Sequence, residues 1–233
     1  LTLINAVVHF KGFVLTDPFL VDDNKTLIVG IRPRARSRPT CSGCACKGPT
    51  YDSLAPRLFQ HVPLWNLPVF FQYAMRRVDC PRCGVKVERV PWAEGKQRMT
   101  NDFRHFLSKW AKRLPWSEAA TCFQTSWNTV YRAVRSTVEW GLKNRVLDNV
   151  RAIGVDEIHI RKGHNYMTLV YQIDNGSRRL LAIRPGREIK TLLWCLRDIG
   201  PKARTSIQFV CSDMWKAYLT VISTRLPKAL NFL

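Results

Sequence analysis

Two aspartates, Asp156 and Asp213, each follow an apolar run, and paired carboxylates in such positions can hold a divalent metal ion. Asp156 lies in the run that begins at Arg151, and Asp213 ends the run from Ile207 to Ser212. Side chains alternate between the two faces of a strand, so Asp156 and its neighbour Glu157 cannot both point at one metal. If the two runs are neighbouring strands, we expect Asp156 and Asp213 to meet at one sheet edge and to bind Mg²⁺ for phosphoryl chemistry.

The elements that must position these acids can be predicted from the same part of the chain. The strand from Tyr166 to Asp174 closes on an Asn-Gly pair, which is a hairpin signal, so a third strand from Arg178 to Arg184 should follow. A helix from Glu188 to Ile199 then leads to the run that ends at Ser212. Such a crossover lays its last strand parallel to one strand of the hairpin. Turn chemistry explains Asp174, which we do not predict to be catalytic.

Simpler interpretations compete with the metal site. An acidic pair at a strand end is often a solvated turn, and Asp213 precedes a predicted helix, Met214 to Thr224, where aspartate is a common N-cap. Arg161 and Lys162, which follow the first acids, are candidates for holding a DNA backbone through phosphate contacts. Topology favours the metal site, because both strand ends should lie together.

Two Cys-x-x-Cys pairs form the second chemical constellation: Cys41, Cys44, Cys80 and Cys83. Each pair can present two thiolates to one tetrahedral Zn²⁺, and four thiolates make the site structural rather than catalytic. The intervening segment, residues 45–79, is long for a zinc ribbon, so we expect an inserted hairpin with strands at Val69–Val78 and Val85–Val90. Cys46 and His61 are alternative ligands, and free buried thiols are the competing interpretation.

Three apolar-periodic segments predict helices between the cysteines and the acids. The first is Thr100–Lys112, the second is Glu118–Phe123 with Ser117 as its cap, and the third is Ser126 to about Trp140. The last two have the spacing of a helix-turn-helix. The third helix would present side chains suited to groove edges and phosphates, namely Trp127, Asn128, Tyr131, Arg132 and Arg135. A plain helical hairpin bridging two domains is the alternative.

Charge is the dominant property of the composition. The 233 residues carry a formal net charge of +20 with 46% hydrophobic residues, so the chain can bury a core and expose a strongly basic surface. A nucleic-acid backbone is the commonest partner of such a domain, although a membrane surface, an acidic protein or solvent alone would also accommodate it. No apolar run reaches the length of a membrane span, and no signal peptide begins the sequence, which predicts a cytoplasmic, nucleoid-associated bacterial protein.

The first forty residues contribute two β-like runs, Ala6–Leu15 and Thr26–Ile31, around a polar turn at Val21–Lys25. The segment Arg32–Arg38 that follows is rich in arginine and cannot form a regular helix with Pro33 inside it. It is either a phosphate-contacting segment or a flexible linker.

The chain resembles a known family in four motifs: Gly154-Val155-Asp156-Glu157, Arg161-Lys162-Gly163-His164-x-Tyr166, Gly186-Arg187-Glu188, and Cys211-Ser212-Asp213-Met214-Trp215-x-x-Tyr218. These are similar to the core signatures of the ISL-three family of insertion-sequence transposases, which resembles the wider group of Asp-Asp-Glu transposases. The resemblance implies that Asp156 and Asp213 are the first two catalytic acids of a ribonuclease-H-like domain. It also implies an N-terminal zinc module and a helix-turn-helix, and so covers the whole chain.

Together these observations predict an α+β multidomain protein. Residues 1–95 would form a β and zinc-ribbon-like module, residues 96–148 a helix-turn-helix domain, and residues 149–233 the first half of a ribonuclease-H-like α/β domain. The expected function is DNA transposition with Mg²⁺ or Mn²⁺. The expected partners are double-stranded DNA, in the form of terminal inverted repeats and target DNA, with a homodimer as a candidate assembly.

The third catalytic acid of the resembling family is a Glu, and no carboxylate follows Asp213 in this sequence. We therefore expect little strand transfer from this chain alone, as from a truncated reading frame or a fragment. One alternative function is a non-catalytic DNA-binding regulator or transposition inhibitor that uses residues 36–145. A metal-dependent nuclease is the third.

Overall fold

The computed structural model describes residues 2–161, 163, 165–213 and 215–232. They form two compact units, Leu1–Asn144 and Arg145–Leu233, each built around a five-stranded sheet. The first unit contains α1 (Thr2–Val7), β1 (Phe13–Val21), β2 (Thr26–Pro33), β3 (Thr50–Leu64), β4 (Leu67–Cys80), β5 (Gly84–Val87), α2 (Asn101–Trp110), α3 (Trp116–Cys122) and α4 (Trp127–Asn144). The second contains β6 (Ala152–Arg161), β7 (Asn165–Gln172), β8 (Arg179–Pro185), α5 (Ile189–Ile199), α6 (Pro201–Ser206), β9 (Phe209–Ser212), α7 (Lys216–Arg225) and β10 (Leu230–Phe232).

The sheet of the first unit has the order β1-β2-β4-β3, and β5 pairs with β4 beyond the end of β2. Only β2 and β4 run parallel; the other pairs are antiparallel. Its core is aromatic: Trp92 is 1% exposed and contacts the rings of Phe10, Phe13, Phe59 and Tyr73. Burying so large a ring supplies much of the apolar area that holds this sheet together.

Two expectations for this unit were wrong in part. The β-like run predicted at Ala6–Leu15 is wrong in part, because Ala6 and Val7 end helix α1 and strand β1 begins only at Phe13. Ile4 and Val8, spaced by four residues, both pack on the aromatic core. The predicted strands Val69–Val78 and Val85–Val90 correspond to β4 and β5, which are antiparallel neighbours, although β5 ends at Val87. The 15-residue strand β3, which also pairs with β4, was not predicted. Pro56 lies in β3 at a shift in register, and β3 is an edge strand, where proline is tolerated.

The three helices that follow pack around their own core, in which Phe103, Leu107, Val130 and Ala133 are fully buried. Thr100 caps α2, since its hydroxyl accepts a hydrogen bond from the Phe103 N–H at 3.1 Å. Ser117, however, is not the cap of α3. That helix begins at Trp116 after Pro115, because proline fixes the backbone angle required there and needs no N–H partner.

The sheet of the second unit has the order β10-β9-β6-β7-β8. Strands β6, β7 and β8 are antiparallel neighbours, and β9 lies parallel to β6, as the crossover predicts. A short helix, α6, was not expected before β9; it starts with Pro201 in the first helical turn. Residues from α5 and α7, including Leu192, Leu196 and Val221, pack with those of one sheet face in a single core.

Asp174 is structural, as its turn position indicates. Its carboxylate accepts hydrogen bonds from the backbone N–H groups of Arg151 and Ala152 and from the Gln172 side chain, and so ties the end of β7 to the start of β6. Among the residues described, no helix is long and apolar enough to cross a membrane. The division of the first 148 residues into two domains remains a prediction.

Candidate metal and nucleic-acid sites

The pairing of β6 with β9 brings the two acidic motifs together at one edge of the second sheet, where β9 ends: Asp213 directly follows the end of β9, whereas Asp156 and Glu157 lie in the middle of β6 and not at the strand end expected from the sequence. The parallel pairing of β6 with β9 matches Ile153 with Val210 and Val155 with Ser212. Asp156 and Asp213 each come one residue after that last pair, so their main chains lie at the same level on neighbouring strands. Because α5 and α7 follow the carboxyl ends of β8 and β9, the N-termini of these helices also lie towards this edge, where their dipoles favour negative charge.

Both aspartates are exposed at this edge. The carboxylate of Asp156 accepts a hydrogen bond from the Glu157 N–H at 2.7 Å, and that of Asp213 accepts one from the Trp215 N–H at 3.1 Å. In the described part of the chain neither acid forms an ion pair with a cationic side chain. Two such acids on adjacent strands, one inside β6 and one just after β9, are a fitting donor set for a hard divalent cation.

Gly154 allows the neighbouring strand to pack beside Asp156. A Cβ atom at this position would lie 2.5 Å from the ring of Tyr171 on β7, so only glycine leaves room for that tyrosine. Burial raises the pKa of Tyr171, and the negative charge of Asp156 raises it further, which places Asp156 on the Tyr171 side of the sheet. The space that Tyr171 requires therefore explains why glycine stands two residues before Asp156.

Glu157 faces the opposite side of β6, as strand alternation requires. Burial raises the pKa of Tyr218 on α7, and the nearby carboxylate of Glu157 raises it further. The Tyr218 hydroxyl lies 2.8 Å from the Thr168 hydroxyl, which in turn donates to the Gly186 carbonyl. These hydrogen bonds fasten α7 to the sheet face that Glu157 faces, opposite Asp156.

Arg187, which the sequence singled out only as part of a motif, is a basic side chain at the same edge. Its guanidinium lies 4.6 Å from the ring centre of Tyr166 and 5.7 Å from that of Trp215. Cation–π contacts of this kind hold a cation in place without neutralising it. Trp215 is the residue that donates to Asp213, so Arg187 lies near the acidic strand end and is suited to a phosphate.

The remaining basic residues near this edge fall into three groups: one is exposed, two lie outside the described residues, and one has a structural hydrogen bond. Arg161 is exposed at the end of β6, as a phosphate-binding residue must be. Lys162 and His164 lie outside the described residues. The His159 ring nitrogen is 2.7 Å from the Gly163 carbonyl oxygen, a hydrogen bond that gives this histidine a structural role in the turn.

The four cysteines predicted as ligands come together in the first unit. The sulfur atoms of Cys41, Cys44, Cys80 and Cys83 all lie within 4.8 Å of one another. Cys80 ends β4 and Cys83 immediately precedes β5, while Cys41 bridges to Glu88 beyond β5. The Gly43 N–H donates to the Cys41 sulfur at 3.4 Å, a contact typical of a metal-binding knuckle. Cys46 and His61 are not members of this cluster.

The chemistry of the cluster also suits a metal. Backbone hydrogen bonds from the 43–44 turn lower the pKa of Cys41 to about 7. The hydrogen bond with Cys44, together with burial and the charge of neighbouring sulfurs, raises the pKa of Cys83 to about 12. Four thiolates so close repel one another, and a dication between them relieves that repulsion.

Helix α4 exposes all five side chains predicted to contact DNA: Trp127, Asn128, Tyr131, Arg132 and Arg135. The Trp127 and Tyr131 rings are stacked, with centres 5.6 Å apart and planes 4° from parallel, and Trp116 of α3 packs against both. Arg135 is paired with Glu139 one turn later at 2.8 Å. Arg132 has no partner within the described residues, so it is the freer of the two cations.

Comparison with known proteins shows similarity to transposases of insertion sequences. A family model described as a transposase matches residues 153–232, and a model of the helix-turn-helix domain of transposase family ISL3 matches residues 88–138. The chain is 26% identical over 209 residues to the transposase for insertion sequence element IS1001 of Bordetella parapertussis, covering 89% of this chain and 51% of that protein. It is 29% identical over 215 residues to the transposase for insertion sequence element IS1557 of Mycobacterium tuberculosis, covering 90% of this chain and 47% of the relative. The chain thus spans about half the length of these relatives.

Proposed function

Because two models of the ISL3 transposase family match parts of this chain, we propose that it belongs to that family and binds and processes DNA as part of a transposase that cuts and transfers an insertion sequence. The observation that carries this proposal is the acidic sheet edge. Asp156 and Asp213 come from distant parts of the chain, yet the pairing of β6 with β9 sets their main chains side by side.

The topology of the second unit supports a ribonuclease-H-like catalytic domain. Three antiparallel strands, β6 to β8, are joined by two strands, β9 and β10, that run parallel to β6; Asp213 follows β9, and Asp156 lies in the middle of β6 beside the end of β9. Asp156 and Asp213 would hold Mg²⁺ or Mn²⁺. Such an ion supplies charge compensation for the phosphate and activation of the attacking oxygen.

The proposed chemistry comprises two phosphoryl transfers. In the first, a water oxygen forms a bond to a DNA phosphorus and the bond to the 3′ oxygen breaks, which leaves a 3′-hydroxyl and a 5′-phosphate. In the second, that 3′-hydroxyl attacks a phosphodiester of the target DNA and displaces its 3′ oxygen. Arg187, held between two aromatic rings, and the exposed Arg161 would position the phosphates.

The acidic edge can be tested by metal binding. Manganese binding to the chain, followed by electron paramagnetic resonance, should weaken at least tenfold in Asp156→Asn and in Asp213→Asn. Asp148→Asn is the matched control, because Asp148 is an exposed acid of the same unit that pairs with Lys202 away from this edge. Unchanged manganese affinity in both test variants would remove these acids from the mechanism.

Cleavage provides the functional test. DNA containing the element's ends should be cut in Mg²⁺ or Mn²⁺ by a protein carrying the wild-type acids and not by either asparagine variant. Equal cleavage by wild type and both variants would exclude the proposed chemistry, whatever the manganese measurement shows.

We propose zinc as the ion of the cysteine cluster. Four thiolates within one small sphere suit tetrahedral Zn²⁺, and the buried Cys41 and Cys80 leave no side open to a substrate. Metal analysis should find about one zinc per chain, reduced in Cys80→Ser and unchanged in Cys46→Ser. Equal zinc content in wild type and Cys80→Ser would refute this ligand set.

For DNA recognition we propose that α4 enters the major groove. Asn128→Ala and Arg132→Ala should each weaken binding to end-containing duplex about tenfold, since a good base contact contributes about 1–3 kcal/mol. Arg135→Ala should have a smaller effect, because its guanidinium already pairs with Glu139. Equal losses on unrelated DNA would assign these residues to backbone contact only.

A non-catalytic DNA-binding regulator is the second candidate function. It is favoured by the first unit, which contains the cysteine cluster, the exposed α4 surface and the cores that support them. End-specific DNA binding by the chain, combined with manganese affinity that neither aspartate variant changes, would support it over the enzyme.

A further inference from the structure

The first unit contains a cavity of about 710 Å³ on the side of the sheet where β1 begins and the cysteine knuckles are attached. Its walls come from Lys11–Phe13, from the segment Arg36–Thr40, from Lys47 and from residues 88–91, with Arg76 at the base. The segment is the arginine-rich stretch that the sequence left as either a linker or a phosphate-contacting element.

The base of the cavity is electrically neutral. Glu88 is 3% exposed, and both of its oxygens accept hydrogen bonds from the Arg76 guanidinium at 2.8–3.2 Å. Tyr73 and the Arg76 N–H also donate to Glu88. The single acid that lines the cavity is therefore fully engaged and cannot compensate any other cation.

The rim of the cavity is basic. Five exposed side chains line it, which we call the basic rim: Lys11, Arg36, Arg38, Lys47 and Arg89. Within the described ranges none of the five forms an ion pair or a side-chain hydrogen bond. Cations concentrated around one concavity raise the local potential, and their repulsion is relieved when an anion enters.

The rim is held in place by the backbone and is not a loose linker. Arg34 donates from its N–H to the Gly12 carbonyl at 2.9 Å, and the Arg76 guanidinium donates to the Ser37 carbonyl at 3.0 Å. Arg89 donates from its N–H to the Thr40 carbonyl at 2.7 Å. Three separate parts of the chain thus fix the arginine-rich segment, so the rim cations begin close to their binding positions.

We propose that this cavity is a second DNA contact, in which the basic rim holds the phosphates of a double-stranded DNA backbone independently of α4. This inference rests on the proposed function, since it adds a phosphate clamp to a DNA-binding unit. Small-molecule sites are enclosed and mostly apolar, whereas here the charge lies at an exposed rim. Arginine forks match phosphate geometry, and phosphate contacts position a protein without reading sequence.

The test compares two double variants of the full chain. Arg36→Gln with Arg38→Gln removes two rim charges, and Lys96→Gln with Arg98→Gln removes two exposed charges at the same spacing outside the cavity. Fluorescence anisotropy measures binding to a 30-base-pair duplex across a series of KCl concentrations. Thermal unfolding by circular dichroism shows whether each variant keeps its fold.

The rim variant should lose affinity about tenfold or more, equally on end-containing and unrelated duplexes. The slope of log affinity against log salt should fall by about 1 to 2, as expected when one or two phosphate contacts are lost. The outside variant should resemble wild type. Equal behaviour of the two double variants would overturn the clamp, even if Asn128→Ala and Arg132→Ala still weaken end-specific binding and so preserve the proposed function.

A free phosphate ion is the other source of the same chemistry. Potassium phosphate should therefore be compared with KCl at equal ionic strength. If phosphate displaces DNA from wild type no better than chloride does, the clamp recognises a backbone. If phosphate raises the thermal stability of wild type and not of the rim variant, while the two proteins bind DNA equally, the cavity is a small-anion site and the DNA clamp is wrong.

Discussion

Among the side chains of the first unit, Glu88 is one whose substitution we expect to lower the free energy of unfolding strongly. Its burial could not be predicted from the sequence. Glu88 lies beyond β5 and is buried against Arg76. Its carboxylate accepts hydrogen bonds from three groups: the Tyr73 hydroxyl, the Arg76 N–H and the Arg76 guanidinium. Its side chain is 1% exposed and that of Arg76 is 10% exposed. A buried pair of this kind is costly to break, because the remaining charge has no solvent.

We expect Glu88→Gln to lower the free energy of unfolding by about 3 kcal/mol or more, since it leaves the Arg76 cation buried without a counter-charge. Asp52→Asn, which breaks the more exposed pair with Arg77, should cost less than about 1 kcal/mol. Urea unfolding followed by tryptophan fluorescence measures both. Equal costs would show that burial of the Glu88 pair has no energetic consequence.

His61 gives the first unit a dependence on pH. It was an alternative metal ligand from sequence, but its ring packs on Phe71 and its Nδ1 lies 2.9 Å from the Thr100 hydroxyl. Burial lowers the pKa of His61 to about 4, although Asp102 opposes the shift. Above pH 6.5 both the folded and unfolded states hold a neutral ring, and below it the unfolded state takes up the proton first.

Stability contributed by His61 should therefore be complete above about pH 6.5 and be lost as pH falls towards 4, by at most about 2 kcal/mol between pH 7.5 and 5. His61→Gln should remove this part of the pH dependence. The measurement is urea unfolding at both pH values. A steeper loss in the variant than in wild type would contradict the assignment.

At the scale of elements, local sequence patterns succeeded wherever one helix or strand has a clear face. The Asn-Gly hairpin, the helix from residue 188 and the parallel crossover were all predicted, because short-range periodicity and chain length determine them. Strand β3 was not predicted because it contains a proline that only an edge position in the sheet tolerates. Helix α1 was not predicted because only its packing on a core distant in the sequence stabilises it. The cysteine ligands were predictable because their spacing is itself chemical information.

Long-range side-chain contacts could not be predicted from the sequence. The hydrogen bond between Thr168 and Tyr218 and the aromatic contacts of Arg187 join residues that are distant in the chain, as does the Glu88 network in the first unit. No periodicity reports such contacts. Only the register of β6 with β9, which the crossover implied but did not determine, connects the two aspartates.

The attachment of the first knuckle to β4 depends on one glycine. A Cβ atom at Gly48 would lie 2.6 Å from the Asp79 carbonyl oxygen, which is backbone and cannot swing away. We expect Gly48→Ala to destabilise the chain by more than 1 kcal/mol, of the order seen for overpacking, and to weaken zinc retention.

Gly141→Ala is the matched control. Gly141 lies inside α4 with no atom within 4 Å of an added Cβ, so alanine should stabilise the chain by about 0.5–1 kcal/mol through helix propensity. Urea unfolding and metal analysis of both variants test the pair. Opposite signs of the change in unfolding free energy are expected; the same sign would contradict the steric argument.

At the scale of the whole molecule, the proposed zinc ion would support the two units unequally. The first contains four clustered thiols beside β4 and β5, whereas the core of the second is assembled from apolar side chains of its sheet and helices. Removing the metal should therefore affect them unequally.

We expect chelation to increase amide hydrogen exchange in residues 39–49 and 78–88, because four mutually repelling thiolates then lose their common ligand. Residues 152–172 of the second unit should keep their protection. Mass spectrometry of peptides before and after EDTA treatment measures this, with zinc-saturated EDTA as the control. A uniform increase across both units would show that the metal supports the whole chain.

The parallel pairing of β9 with β6 also sets an order of events during synthesis. The β6-β7-β8 meander uses close neighbours and can form as soon as residue 185 has left the ribosome, whereas β9 must wait for α5 and α6. Non-local pairing of this kind is slow relative to hairpin closure. A nascent chain would therefore carry a folded first unit for some time before its two aspartates first become neighbours.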